Sequence, residues 1–462
     1  MEMQARASEG REAISHGAWW ALLGILVAIV AVTLPELGSN PWPFRPQGVE
    51  PRGALAPLVR AAGEQWDVGI ARATCFIAGL AVALVAAASL RARGRPAWAG
   101  SVLVLGVALA LLAPSTLLQV GLRDATEPWF HTNDSSYQVE LAGDLLLDGD
   151  NPYGHDYRRS GMERFYSFDG TASEAVRERE VSLEHYAYFP GTILTSAVWR
   201  LLPSPLDDYR LLIVLFTLGG FAAAMAFRAP LSWRLAIGAL VVANPVAVRS
   251  AWFGQNDAAS ITLLLLAFAL LTRERYRWAA ASLAAAVLLK QFAVVAVPFV
   301  AVMLLARGLA RPELVRIAGV FAAVLGLATL PFLIADPAAF YEDTVEFGAG
   351  TYKIVGYGLS AILVRAGIVD EVEGSYPFAL IALLTWLPLT AWLLLAQHRA
   401  REQWVGAAAF AISMLVLLFI GRAFNNYYLL WPAMGAAAAA LIYSGERRRA
   451  PGASGFDGPS AA

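Results

Sequence analysis

Charge is scarce in this chain, and the shortage sets its class. Only 15% of the 462 residues are Asp, Glu, Lys or Arg, against 58% hydrophobic, and the mean hydropathy is +0.55. That balance excludes a soluble globular protein and points to a polytopic membrane protein. Lysine is scarcer still: of the 35 basic residues only Lys290 and Lys353 are lysines. No basic block is long enough to follow a phosphate backbone, so nucleic-acid binding is set aside. The one cysteine, Cys75, falls in an apolar run and excludes an intrachain disulfide. Of the five histidines, His131 and His155 flank the most polar region. No His/Asp spacing makes a metal site. No cofactor is therefore expected, a divalent metal being left open. A fixed-period repeat is also missing, which argues against a solenoid. The first apolar run is too long for a signal-peptide core and lacks a small-x-small pattern after it, so it reads as a retained span.

What the chain does have is a succession of apolar runs whose sides can be assigned from arginine. Residues 1–16 form a cytoplasmic N-terminus and 17–120 three transmembrane helices, the first closed by Pro35, with Arg91, Arg93 and Arg95 in a cytoplasmic turn. Residues 121–209 are expected outside as a catalytic loop with interfacial helices, being too long for a structureless connection. Within it the apolar stretch 190–203 falls short of the ~20 residues a crossing needs, so it should lie at the interface. Residues 210–335 supply transmembrane helices 4–9. One continuous span over 278–306 would bury Lys290 at mid-membrane at a cost of ~3 kcal/mol, so two shorter helices should turn at Lys290-Gln291. Residues 336–376 form a second external loop, 377–444 helices 10–12, and 445–462 a disordered cytoplasmic tail. The expected fold is an all-α polytopic membrane protein of about twelve transmembrane helices with a small extracytoplasmic cap between spans 3 and 4. It sits in the plasma membrane with both termini cytoplasmic. Most of the 36 acidic residues then fall outside, a partly independent check on sides fixed with Arg and Lys.

The polar centre of the sequence is His131-Thr132-Asn133-Asp134-Ser135-Ser136-Tyr137-Gln138, followed by Asp148-Gly149-Asp150-Asn151-Pro152-Tyr153. Ser135-x-x-Gln138 fits a capping box, and Leu141, Leu145 and Leu146 give the following helix an apolar face. Asp134 then either helps to cap that helix or serves as a general base at the membrane surface, where a lipid-borne substrate could meet a second substrate.

The order of short motifs resembles a family. An Asp soon after an outward span (Asp134), Gly-x-Asn-Pro-Tyr at 149–153, Tyr188-Phe189-Pro190-Gly191 entering an interfacial helix, Gly254-Gln255-Asn256 opening an inward helix and the late Lys290 are similar to membrane-embedded glycosyltransferases of the GT-C type. Within these the likeness is to glycosyltransferase family 87, of the polyprenyl-phosphate-mannose-dependent mannosyltransferase type, over roughly residues 97–306. Two departures stand out: Phe-Pro-Gly occupies the place of an expected Tyr-Pro-Pro, and two spans precede the family-like core.

The resemblance implies an inverting hexosyltransferase of the cell envelope. It would move a sugar, mannose or another hexose or pentose, from a polyprenyl-phosphate donor to an envelope lipid or glycan at the extracytoplasmic face. Asp134 maps onto the catalytic base, and Lys290 and Arg422 become candidate partners of the departing phosphate. Lys290 as a snorkelling residue and Arg422 as an interfacial anchor stand beside that reading. Gln255, Asn256, Asp257, Asp150, Asn151, Tyr153, Tyr188, Asn426 and Tyr427 are candidates for sugar or acceptor contacts. Asp150 and Asn151 read equally as turn residues, Gln255 to Asp257 as a helix cap, and Tyr427 as part of an aromatic belt. The rival functions are a transporter or flippase of a lipid-linked sugar, and an inactive scaffold of the same fold. A transporter would place its polar groups near the membrane midplane, whereas this chain collects them at one face.

Overall fold

The computed structural model describes residues 14–39, 50–62, 67–89, 97–167, 172–351, 353–369 and 375–449. The expected turn at Arg91, Arg93 and Arg95, residues 1–13 and the tail from 450 onward lie outside the described residues. Among the described residues the fold is helical, with one parallel pairing of two residues each, Val355–Gly356 beside Ala423–Phe424.

Among the described residues six helices are long and apolar enough to cross a membrane: His16–Gly38, Trp98–Asp124, Arg311–Ala335, Phe378–Ala400, Gln403–Ile420 and Asn426–Arg447. Leu231–Ala243 and Pro245–Phe253 make a seventh if they count as one span bent by 41°. Val68–Leu84, Tyr209–Met225, Ala258–Thr272, Tyr276–Leu289 and Gln291–Ala306 are apolar but shorter. The polytopic class is therefore plain, while length and composition support six or seven spans and not about twelve. Short helices cause the difference: at ~1.5 Å per residue, fifteen residues reach only ~22 Å.

Several boundaries follow from local chemistry. Pro35 does not close the first helix, which runs on to Gly38. Pro35 forfeits one backbone hydrogen bond, but Leu37 beyond it is fully buried, and the guanidinium of the buried Arg72 donates through Nε to the Leu37 carbonyl at 3.1 Å. The bend near 244 has the usual cause, since Pro245 supplies no N–H to continue the helix before it. Asn244 then starts the second segment, its Oδ1 accepting from the Ala247 amide at 2.9 Å. The break expected at Lys290-Gln291 is present: Tyr276–Leu289 ends, Lys290 is extended, and a 3₁₀ turn, Gln291–Val295, opens the next helix. The last helix, Leu430–Arg449, is longer than expected and takes in residues 445–449 of the supposed tail.

Residues 125–208 carry short helices. Asp134–Asp148 packs on Pro190–Trp199, which at ten residues is too short to cross alone. The apolar core has two parts. One gathers mainly the helices up to Pro245–Phe253, with Phe332 and Phe340, and the other gathers Ala258–Thr272 and most of the helices after it, with Ala223, Ala224, Val241 and Ala247 from the earlier ones. Polar side chains collect where the two parts face each other.

Candidate active site

A cavity of about 730 Å³ lies between the two parts of the core. Asp134, Tyr188, Gln255, Asn256, Asp257, Lys290, Arg422, Asn426 and Tyr427 all line it. Nine of the twelve side chains singled out from the sequence, drawn from five separate stretches, thus share one space.

Asp134 is the first residue of its helix and not its cap. Asn133 is the N-cap: its Oδ1 accepts from the Ser135 amide at 3.1 Å and from the Ser135 hydroxyl at 2.7 Å. Asp134 Oδ1 shares that amide at 2.9 Å. The expected capping box does not form, because Gln138 is turned away and donates to the His185 carbonyl at 2.7 Å. Burial pushes the Asp134 carboxyl above the usual carboxylate range, with the Ser135 amide and the charge of Lys353 opposing the shift.

Lys290 stands in the gap between two helices, its Nζ 5.9 Å from the centre of the Phe292 ring. Its Nζ donates to Asn256 Oδ1 at 3.1 Å, lies 3.7 Å from Asp257 Oδ2 and sits 4.6 Å from the centre of the Tyr188 ring. Asp257 Oδ1 accepts from the Trp431 indole at 2.9 Å. A carboxylate that is 2% exposed is thereby fixed by two elements far apart in sequence. Gln255 Oε1 accepts from the Ser250 hydroxyl at 2.7 Å. The Asn256 amide nitrogen, also lining the cavity, has no hydrogen-bond partner among the described residues. Unpaired buried amides are costly, so this one is available to a ligand hydroxyl.

Gly191 explains the Phe-Pro-Gly departure. A Cβ there would come within 2.7 Å of the Leu288 carbonyl carbon and oxygen, so only glycine lets Pro190–Trp199 lie against the end of the helix before Lys290. That approach sets Tyr188 beneath the Lys290 ammonium. Arg422 is buried in the loop after Gln403–Ile420, and its carbonyl accepts from the Val355 amide at 3.0 Å. The Asn425 side chain reaches the Tyr427 hydroxyl at 3.4 Å, and Tyr427 packs edge to face on Tyr428 with centroids 4.5 Å apart.

Three of the expected residues stay away from the cavity. Asp150 is exposed in the turn after Asp134–Asp148, and Asn151 accepts from the Tyr153 amide at 3.2 Å, as its turn reading holds. Tyr153 is buried beneath the site, its hydroxyl donating to the Tyr188 carbonyl at 2.8 Å. It supports the wall without forming it.

Sequence reasoning missed other members. Arg249 lines the cavity and pairs with Glu36 of the first helix at 3.3 Å. An arginine eight residues before Asp257 in an otherwise apolar run was the available signal. Trp431, the partner of Asp257, carried none. Lys353, the other lysine, pairs with Glu180 at 2.9 Å, and both act on the Asp134 charge. His185 meets Asp343 at 2.7 Å, and Thr344, Val345 and Phe347 of the same segment line the cavity. As a chemical unit the cavity offers two carboxylates, Asp134 of raised basicity and Asp257 held by Trp431 and Lys290, three cations and several neutral hydrogen-bonding groups.

A model of glycosyltransferase family 87 matches residues 186–421, just over half of the chain. The matched segment contains Tyr188, Arg249, Gln255, Asn256, Asp257 and Lys290. It begins after Asp134 and stops one residue short of Arg422. It also runs well past residue 306, where the resemblance read from motifs ended. No curated protein and no solved structure matches the chain significantly.

Proposed function

This chain belongs to glycosyltransferase family 87 and is a membrane glycosyltransferase, and we propose that it transfers a sugar from a polyprenyl-phosphate donor to a hydroxyl of an envelope lipid or glycan. The sugar is mannose or another hexose or pentose, and transfer takes place at the extracytoplasmic face with inversion. The observation that carries this reading is the presence of Asp134 in one cavity with Lys290, Arg249 and Arg422.

A sugar on a polyprenyl phosphate already has a good leaving group. Catalysis then needs a carboxylate to take the acceptor proton and cations to receive the phosphate charge. The acceptor oxygen attacks the anomeric carbon from the face opposite the phosphate and its proton passes to Asp134. The bond from the anomeric carbon to the phosphate oxygen breaks, and the polyprenyl phosphate leaves toward Lys290, Arg422 and Arg249. Burial suits Asp134 to this role, since raised basicity strengthens it as a base. Gln255, Asn256, Asp257, Asn426, Tyr427 and Tyr188 orient the sugar, the neutral groups through its hydroxyls and the aromatic rings through its faces. In this reading twelve apolar helices cross, including the shorter and broken ones, with 121–209 and 336–376 outside.

Purified protein incubated with a radiolabelled polyprenyl-phosphate sugar and a membrane lipid extract tests the reading. Label should move to a lipid or glycan product. Passage of intact donor across a vesicle membrane without transfer would assign a flippase, and neither event would leave an inactive scaffold.

A further inference from the structure

Behind the cavity lies a group of four charges that the proposed chemistry does not use, Glu140, Asp208 and Arg210 buried and Arg123 partly so. Arg210, fully buried at the start of Tyr209–Met225, grips Asp208 through Nε at 2.8 Å and Nη2 at 2.6 Å. Arg123 bridges Asp208 at 3.0 Å and Glu140 at 2.6 Å, and Glu140 Oε1 accepts from the Tyr209 amide at 2.8 Å. Two arginines and two carboxylates balance. As a stabilising device such a quartet is a poor choice, because desolvation offsets most of the attraction between its members. What it supplies is fixed geometry.

That geometry points at the site from two directions. Arg210 Nη1 donates to the carbonyl of His131, which holds a left-handed backbone at φ 55° three residues before Asp134. A non-glycine residue keeps that conformation only when its surroundings over-determine it. The Arg210 stem also packs on Gly254, at φ 98°, where an added Cβ would lie 3.2 Å from Cγ and 2.5 Å from the Ser136 hydroxyl. Gly254 ends Pro245–Phe253 and releases Gln255, Asn256 and Asp257 into the cavity. In front of Arg210 the two turns touch directly, the Ser135 hydroxyl oxygen lying 3.2 Å from the Gly254 carbonyl oxygen.

We propose that Arg210 is a positioning residue that locks the turn presenting Asp134 to the turn presenting Gln255, Asn256 and Asp257, fixing the base relative to the sugar and its phosphate. The proposal rests on the reading of Asp134 as the base. Its consequence is that Arg210 governs turnover and not donor affinity, because it holds the distance between two groups without touching either substrate.

Arg210→Lys keeps the positive charge beside Asp208 but cannot hold both the carboxylate and the His131 carbonyl. A misplacement of about 1 Å at a reacting centre can cost on the order of 10²-fold, so kcat should fall by about that factor while donor KM stays near wild type. Wild-type kcat in folded Arg210→Lys overturns the proposal, as does a loss confined to donor KM. If that variant does not accumulate, Gly254→Ala decides, since its Cβ wedges the same two turns apart without unpairing a charge. It should show the same loss in kcat, and wild-type kcat there overturns the proposal. Asp134→Asn in the same assay separates the two ideas. Full activity in Asp134→Asn sinks the base reading itself, whereas an inactive Asp134→Asn beside a fully active Arg210→Lys sinks the clamp only.

Discussion

Replacing Asp134 by Asn should separate activity from stability in opposite directions. The amide is nearly isosteric, and its oxygen can still accept from the Ser135 amide, which Asn133 also holds, so the helix start survives. Loss of a general base typically removes on the order of 10²- to 10⁴-fold in rate, and transfer should fall by at least the lower figure. Stability should hold or rise. Because burial raises the folded pKa of Asp134, ionising it opposes folding: its protonated form contributes stability at low pH that is lost as pH rises through the folded pKa. Asn carries no such penalty at neutral pH. The pH profile gives a second readout with the sign worked out. Wild-type transfer should fall on the acid side as Asp134 takes up a proton, at a pH above the ~3.9 of a free carboxylate, and the residual rate of Asp134→Asn should show no such limb. The assay is transfer from a radiolabelled donor across pH, with thermal unfolding followed by tryptophan fluorescence on the same preparations. Transfer within about threefold of wild type would remove Asp134 from the mechanism. Parallel loss of activity and thermal stability would assign it to the helix start instead.

Lys290→Met should weaken donor use more than Arg422→Met. Charge-assisted contacts are worth roughly 1.5–3 kcal/mol, so donor KM should rise on the order of 10- to 100-fold, and an unchanged KM would return Lys290 to holding Asn256 and Asp257. Gly191→Ala should lower both thermal stability and transfer, because its Cβ meets the Leu288 backbone at 2.7 Å, and a variant with normal unfolding would refute the close approach. Cysteine labelling in a Cys75→Ser background should reach position 207 from outside the cell. Labelling there only from the cytoplasmic side would overturn the sides assigned to residues 121–209.

Local chemistry made much of the fold legible. Lys290 in a long apolar run forced a break, and the break is at Lys290. The stretch after Pro190 was too short to cross, and its helix ends at Trp199. Pro35 misled because a proline forfeits one backbone bond but does not end a helix whose residues beyond it are held by packing and capping. Here Arg72, thirty-five residues away, satisfies a carbonyl near the end. The site was legible where a polar residue interrupted hydrocarbon, as at Asp134, Gln255 to Asp257, Lys290 and Arg422. It was not legible where an apolar-looking residue did polar work. Trp431 gives its indole N–H to Asp257, and a tryptophan near a helix end carries no sign of that bond. The motif at 149–153 misled for the opposite reason. Its residues are polar or aromatic, but Asn151 serves its own turn and Tyr153 holds Tyr188 from behind.

The limits of the family match divide the cavity. Residues 186–421 supply Tyr188, Arg249, Gln255, Asn256, Asp257 and Lys290, whereas Asp134 comes from the segment before them. If Asp134 and Lys290 act together as proposed, something must hold the two segments in register. Local structure cannot do it, since Asp134 and Lys290 stand on different elements in different parts of the core. The buried quartet can, because Arg123 and Glu140 belong to the earlier segment and Asp208 and Arg210 to the matched one. Of its contacts, only the Arg123–Asp208 pair and the bond from the Tyr209 amide to Glu140 cross between the segments, so motion of one against the other would break one ion pair and one charge-assisted hydrogen bond while each charge keeps a partner in its own segment. In the reading of Asp134 as the base, its register with Lys290 and Arg422 is held by contacts whose contribution to folding alone is small.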